Sequence, residues 1–216
     1  MSSFDHTVYN QLGNPHVDLK EEGEIEDMAP SMRIWNKPYE LPSGDAVYYG
    51  VSPVNGTSEQ ILVPFIGTAD IVFKSKFHPQ GVPLDKVSLK YNGKPHEEIY
   101  AVMNEMLKVA KEEIKANPSP SDLVQKLAAK TIMAVEPQEY PRKDNSISAK
   151  FKVKDGSVLT SFIGIADYEA FKKKAMSFIA KKKPIPVAGV FHVQGVVLSD
   201  RGLDVCVKLW EVSVRK

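Results

Sequence analysis

One cysteine in 216 residues excludes any disulfide framework within the chain. Cys206 sits inside an alternating apolar pattern, where a small buried thiol is the natural reading, and a reducing compartment is the expectation. No apolar run approaches the length of a membrane span, and the first residues lack the basic-then-apolar order of a secretory signal. A soluble, cytoplasmic protein is therefore expected. Catalytic signatures are missing as well: the chain has no glycine-rich phosphate loop, no CxxC, no HExxH and no serine in a nucleophile elbow. His6, His16, His78, His96 and His192 are scattered rather than clustered. Neither an enzyme nor a cofactor or metal is expected.

Net charge is nearly absent too, with 28 basic and 27 acidic residues, but the charges are not mixed evenly. Residues 1–30 hold seven acids against one lysine, a net charge of −6, and from residue 140 onward 15 basic residues meet 7 acidic ones, a net charge of +8. An acidic front and a basic back point to a polyanionic partner for the basic part. The front also has few large apolar residues, so residues 1–30 are expected to form a flexible acidic arm and residues 31–216 one domain.

That domain reads as mainly β. Over residues 184–216, Val187, Phe191, Val193 and Val197 alternate with Ala188, His192 and Gln194, then Leu203, Val205, Val207 and Leu209 repeat the pattern after a turn at residues 199–202. The apolar phase then slips to Trp210, Val212 and Val214, as a β-bulge would produce. This predicts a long, bent antiparallel hairpin of the kind that ribs a small closed barrel. Strands are also expected near Met32, over 45–51, 61–77, 146–154 and 158–165. In the third of these Ala69, Ile71, Phe73 and Phe77 face inward and Lys74 and Lys76 outward.

Between strands the period changes. Ile99, Met103, Met106, Ala110 and Ile114 recur at helical spacing, and Leu123, Leu127, Ile132 and Val135 continue in a second helix. A helical hairpin insert at about 95–136 follows. A third helix is expected over 167–183, with Phe171, Ala175, Phe178 and Ile179 as its apolar stripe. Phe65 to Asp70 and Phe162 to Asp167 match at all but one position and read as a repeated local turn.

The remaining chemistry is basic. Lys150, Lys152 and Lys154 share one face of a predicted strand at about 7 Å spacing, close to the pitch of phosphates on a single nucleic-acid strand. Lys74 and Lys76 form a second outward pair, and the triplets Lys172, Lys173, Lys174 and Lys181, Lys182, Lys183 a third basic site. The same lysines also fit an ordinary solvated face or an edge protected against aggregation. Tyr48, Tyr49 and Tyr168 are candidates to stack on bases, alongside Trp35, whereas Phe191 and Trp210 fall on apolar faces.

A β-run, a helix ending Glu113-Ile114-Lys115-Ala116-Asn117-Pro118, then Phe151-Lys152-Val153-Lys154 and the hairpin carrying Val190-Phe191-His192-Val193 and Lys208-Leu209-Trp210-Glu211 follow in that order. This resembles the single-stranded DNA-binding proteins of short-tailed bacteriophages and related viral replication proteins. The resemblance implies an OB-like Greek-key barrel with a helical hairpin insert, binding single-stranded DNA without sequence preference in viral or phage replication or recombination. Replication proteins and further copies of itself would be its partners, without a membrane, in the host cytoplasm or at a viral replication site. Family members typically end in an acidic tail. This chain ends in Arg215-Lys216, and its acidic front either takes the tail's place or is only a solubilising start. The alternative expectation is a structural protein of a virus particle.

Overall fold

The structure is a computed structural model that describes residues 31–35, 37–54, 60–92, 97–116, 122–131, 140–141 and 146–215. The acidic arm expected over residues 1–30 lies outside the described residues, as do Ile132 and Val135 of the second helix. The strands are β1 (Met32–Ile34), β2 (Tyr39–Glu40), β3 (Ala46–Pro53), β4 (Ile61–Ile71), β5 (Ser88–Tyr91), β6 (Ile147–Phe151), β7 (Val153–Lys154), β8 (Ser157–Val158), β9 (Ser161–Phe162), β10 (Ile185–Ser199) and β11 (Gly202–Val214). The helices are α1 (Glu97–Ala116), α2 (Asp122–Thr131) and α3 (Tyr168–Ala180). The fold is mainly β. Residues 31–216, expected as one domain, fall into two compact units, and the long hairpin β10–β11 runs through both.

The first unit takes Met1–Ile61, His96–Arg142 and Val193–Cys206. β3 is its central strand. One edge pairs antiparallel with β10, from Gly195↔Gly50 to Ser199↔Ala46, and the other with β2 and β1. α1 packs on β1 and β3. Its apolar stripe is the expected one, since Ile99, Met103, Met106, Ala110 and Ile114 are all buried, together with Val102 and Leu107. α2 turns Val124 and Leu127 inward, with Leu123 only half-buried. Tyr140 fastens the segment that follows: its backbone exchanges hydrogen bonds with the Asn104 amide at 2.8 and 2.9 Å, and its hydroxyl donates to Asp204 at 2.7 Å.

In β10 the inward phase changes at Gly195, so Val196 and Leu198 are buried and Val197, expected inward, is half-buried. A Cβ on Gly195 would lie 2.3 Å from the Tyr49 carbonyl, and its φ of +159° marks the irregularity.

The second unit takes Leu62–Pro95, Lys143–His192 and Val207–Lys216. Its strands close a ring in the order β4, β5, β6, β11, β10 and back to β4. β4–β5 and β5–β6 are antiparallel, while β6–β11 is parallel, with Lys150↔Lys208 and Phe151↔Leu209 opposite each other. Inside lie Phe65 and Phe191, stacked at 3.9 Å, with Tyr91 edge-on to both at 5.3 and 5.8 Å. Gly67 lies within β4 where a Cβ would come within 2.8 Å of the Tyr91 ring.

α3 is capped by Asp167, whose carboxylate accepts the Ala170 N–H at 2.8 Å. It buries Phe171 and Ala175, and Phe171 meets Phe151 edge-on at 5.5 Å. Ile179, expected in the stripe, is exposed. The strand expected over 158–165 is two short pieces, β8 and β9, with a turn after them. The repeated hexapeptide is therefore not a repeated turn. Its first copy lies within β4, and its second runs from β9 into the cap of α3.

Candidate nucleic-acid interface

β5 and β6 alternate strictly and β11 does so up to Leu209, and that alternation builds the face. Leu89, Tyr91, Ile147, Ala149, Phe151, Val207 and Leu209 are buried, which sends Ser88, Lys90, Ser148, Lys150 and Lys208 to the outer side. The register lays them in rows. Lys150 stands between Ser88 and Lys208, and Lys90 between Asp70 and Ser148. Two lysines directly opposite each other on a sheet repel, and among the described residues neither Lys150 nor Lys208 has an ion-pair partner. An anion between them would relieve that repulsion.

Next to this row lies an aromatic floor. β11 does slip its phase after Leu209, but Trp210 continues the outer side with Cys206 and Lys208, and Trp210 and Glu211 are both half-buried before Val212 returns inward. The expectation that Trp210 lies on the apolar face is corrected accordingly. The Lys152 ammonium sits 4.4 Å from the centre of the Trp210 ring, and His192 meets that ring edge-on at 5.6 Å. His192 is 7 % exposed, and burial, reinforced by the Lys152 charge, pushes its pKa down to about 4.

The three lysines expected on one strand are only partly together. β6 ends at Phe151, and the Lys152 N–H turns to the Thr160 hydroxyl at 2.9 Å. Lys154 belongs to the small β7–β8 hairpin instead. Lys74 and Lys76 are exposed but lie on the loop after β4. Phe77, expected inward beside them, is 77 % exposed.

The helix lysines form a different surface. Tyr168 and Phe171 pack against Phe151, which points away from Lys150 and Lys152, so α3 lies on the opposite side of β6. Lys172 is 3.6 Å from Glu169 and Lys174 donates to the Val214 carbonyl, while Lys173, Lys181, Lys182 and Lys183 are exposed. Lys181 closes the helix, where the macrodipole favours a cation.

Of the candidate tyrosines, Tyr49 is 2 % exposed and belongs to the core, a correction to its role as a stacking surface. Burial pushes its hydroxyl up to about 12, helped by Glu113. Tyr48 is half-buried, donates to the Gln194 carbonyl at 3.0 Å, and is raised by burial and then by Cys206 and Tyr39. Tyr168 is also half-buried, with its hydroxyl pushed up to about 12 by burial and then Glu169. Trp35 lines an open groove of about 670 Å³ in the first unit, whose rim carries Arg33 and Lys37 but also Glu112 and Glu113. That mixed rim does not select a polyanion.

Lys90, Lys208 and the orientation of Trp210 are what sequence reasoning missed. Lys208 was legible: it alternates with Val207 and Leu209. Among the described residues no cluster of side chains is arranged to hold a metal, and no helix is long and apolar enough to cross a membrane.

No known family's model matches this chain, and neither does any curated protein or solved structure.

Proposed function

We propose that this chain binds single-stranded DNA without regard to sequence, in viral or phage DNA replication or recombination, as a binding protein with no reaction of its own. The observation that carries the proposal is the outer face of the second unit, where Lys150 and Lys208 stand opposite each other and Lys152 lies over the half-buried indole of Trp210. Lysines in a row neutralise phosphates, and an aromatic beside them offers a base a surface that every base can use. The ring order β4-β5-β6-β11-β10, with its parallel β6–β11 pair and a helix between β6 and β10, fits an OB-like Greek-key barrel, and α1 and α2 then form the helical insert between β5 and β6. Replication proteins and further copies of the chain are the partners such a role brings, in the host cytoplasm or at a viral replication site.

The test is a titration of intrinsic tryptophan fluorescence with a dT oligonucleotide and with a duplex of equal length, each at two salt concentrations. Trp210 emission should change on binding, the affinity should fall steeply with salt, and the single strand should bind more tightly because a duplex hides its base faces. Equal affinity for both forms would leave only unspecific charge attraction. Self-assembly without any DNA binding would point to a particle protein instead.

A further inference from the structure

Between β4 and β5 the backbone itself fixes the shape of the connecting loop. Phe73 is buried, and its carbonyl accepts the Val82 N–H at 2.9 Å. Ser75 and His78 bond each other in both directions, at 3.0 and 3.3 Å, and the His78 N–H also reaches the Ser75 hydroxyl at 3.2 Å. Gly81, at φ +136°, donates to the His78 carbonyl at 3.1 Å. Lys76 and Phe77 are left at the apex of this turn.

Turn geometry gives no reason for a phenylalanine there, since tight turns favour Gly, Asn, Asp, Ser and Pro. Phe77 is nonetheless the most exposed large apolar side chain among the described residues. Its ring is held away from the core, with the Lys76 ammonium 4.9 Å from its centre. Lys74 is exposed two residues earlier.

We propose that Phe77 stacks on one unpaired nucleobase while Lys76 and Lys74 take the adjoining phosphates, an inference that rests on reading this unit as a single-stranded DNA-binding one. A nucleotide matches the apex in both respects. Its base has a flat face the size of the ring, and its phosphate lies beside that face, where the ammonium is. A lipid surface fits less well, because stable membrane attachment takes more than a single small apolar group. A protein pocket would expect further apolar residues around the ring, and here the neighbours are Lys74, Ser75, Lys76 and His78. With Lys76 over one face, the ring receives a single base on the other and caps a run of bases rather than slipping between two. Because the loop is already ordered by its own hydrogen bonds, little conformational entropy is lost when the base arrives.

The experiment compares the full chain with Phe77→Ala, Phe77→Leu, Phe77→Trp and Lys76→Ala by anisotropy of a labelled dT oligonucleotide over a range of salt, with circular dichroism as the check of folding. Phe77→Ala should weaken binding by about 5- to 150-fold at every salt concentration and leave the salt slope unchanged, since no charge is removed. Phe77→Leu should be as weak as Phe77→Ala. Phe77→Trp should keep the affinity and gain an emission signal that dT quenches. Lys76→Ala should reduce the slope by about 0.7. If the unmodified chain binds with a salt slope but Phe77→Ala binds equally well, the stacking role is overturned and the proposed function stands. Wild-type affinity in Phe77→Leu overturns stacking in favour of a merely apolar contact. Cosedimentation with mixed phosphatidylcholine and phosphatidylserine vesicles that is abolished in Phe77→Ala would make the residue a membrane contact. Failure of the unmodified chain to bind the oligonucleotide at any salt would remove both readings together.

Discussion

Lys152 and Trp210 stand side by side at the point where β6 ends, the ammonium of one 4.4 Å from the ring centre of the other. A cation over an indole gains about 0.5 to 1 kcal/mol at a partly exposed site. That is enough to hold a long, mobile side chain in one place without neutralising its charge. Lys152 therefore remains able to pair with a phosphate while it shields one side of the ring.

The charge row makes the first prediction. Replacing Lys150, Lys152 and Lys208 together by Ala should reduce the slope of log K against log salt by about 2, at roughly 0.7 for each single-strand phosphate no longer neutralised, and weaken binding to all sequences alike. Thermal stability should barely move. Relief of the Lys150–Lys208 repulsion offsets the removal of the Lys152 ammonium from the Trp210 ring, and both effects are small. An unchanged slope would shift the interface elsewhere, most directly to the exposed lysines at the end of α3.

The second concerns acid. His192 is held neutral in the folded chain, with its pKa lowered from 6.5 to about 4, first by burial and then by the Lys152 charge. Unfolding frees it to bind a proton at the ordinary pKa. The unfolded state then holds more protons between pH 6.5 and 4, so stability is complete above that window and falls as pH drops through it, by roughly 2 to 3 kcal/mol at the lower end. Urea unfolding at pH 7, 5.5 and 4.5 should show this decline, and His192→Gln should flatten it. Equal declines in both proteins would assign the effect to carboxylates instead.

Local patterns are readable in the sequence where one rule governs a whole element. α1 repeats at helical spacing over about four turns, and every residue that spacing selects is buried. The hairpin is readable for the same reason along most of its length. Such readings fail where the backbone leaves a regular path. Alternation carried past Phe73 puts Phe77 inside, but the chain has already turned at Ser75. Placing the phase slip directly after Leu209 puts Trp210 inside, but Trp210 keeps the outer side and the slip falls between it and Val212. Lys154 counts with Lys150 on spacing alone, because nothing local announces that the Lys152 N–H leaves the strand for Thr160. The pairing of β6 with β11 joins segments nearly 60 residues apart, and no periodicity within either one reveals it. The core aromatics, by contrast, carry no local signal separating them from stacking candidates: Tyr49 differs from Tyr48 only in which side of β3 it occupies.

The last prediction tests what positions Lys152. Thr160 is 3 % exposed, and its hydroxyl accepts the Lys152 N–H at 2.9 Å while donating to the Leu209 carbonyl at 2.8 Å. One side chain thus fastens the end of β6 to β11 at the place where Lys152 turns over Trp210, and the Leu159 N–H closes the same corner on the Lys152 carbonyl at 2.7 Å. Valine has nearly the same shape as threonine and neither bond. Thr160→Val should leave a buried donor and a buried acceptor unmatched and destabilise the protein by about 2 to 4 kcal/mol in urea unfolding. Under conditions where it remains folded, Trp210 emission should change. The salt slope for single-stranded DNA should fall by less than it does in Lys152→Ala, because the ammonium is still present but no longer held. Thr160→Ser, which restores the hydroxyl without the methyl group, should recover most of the slope. If Thr160→Val loses stability but keeps the slope and emission of the unmodified chain, the hydroxyl is a structural tie only and Lys152 is positioned by Trp210 alone.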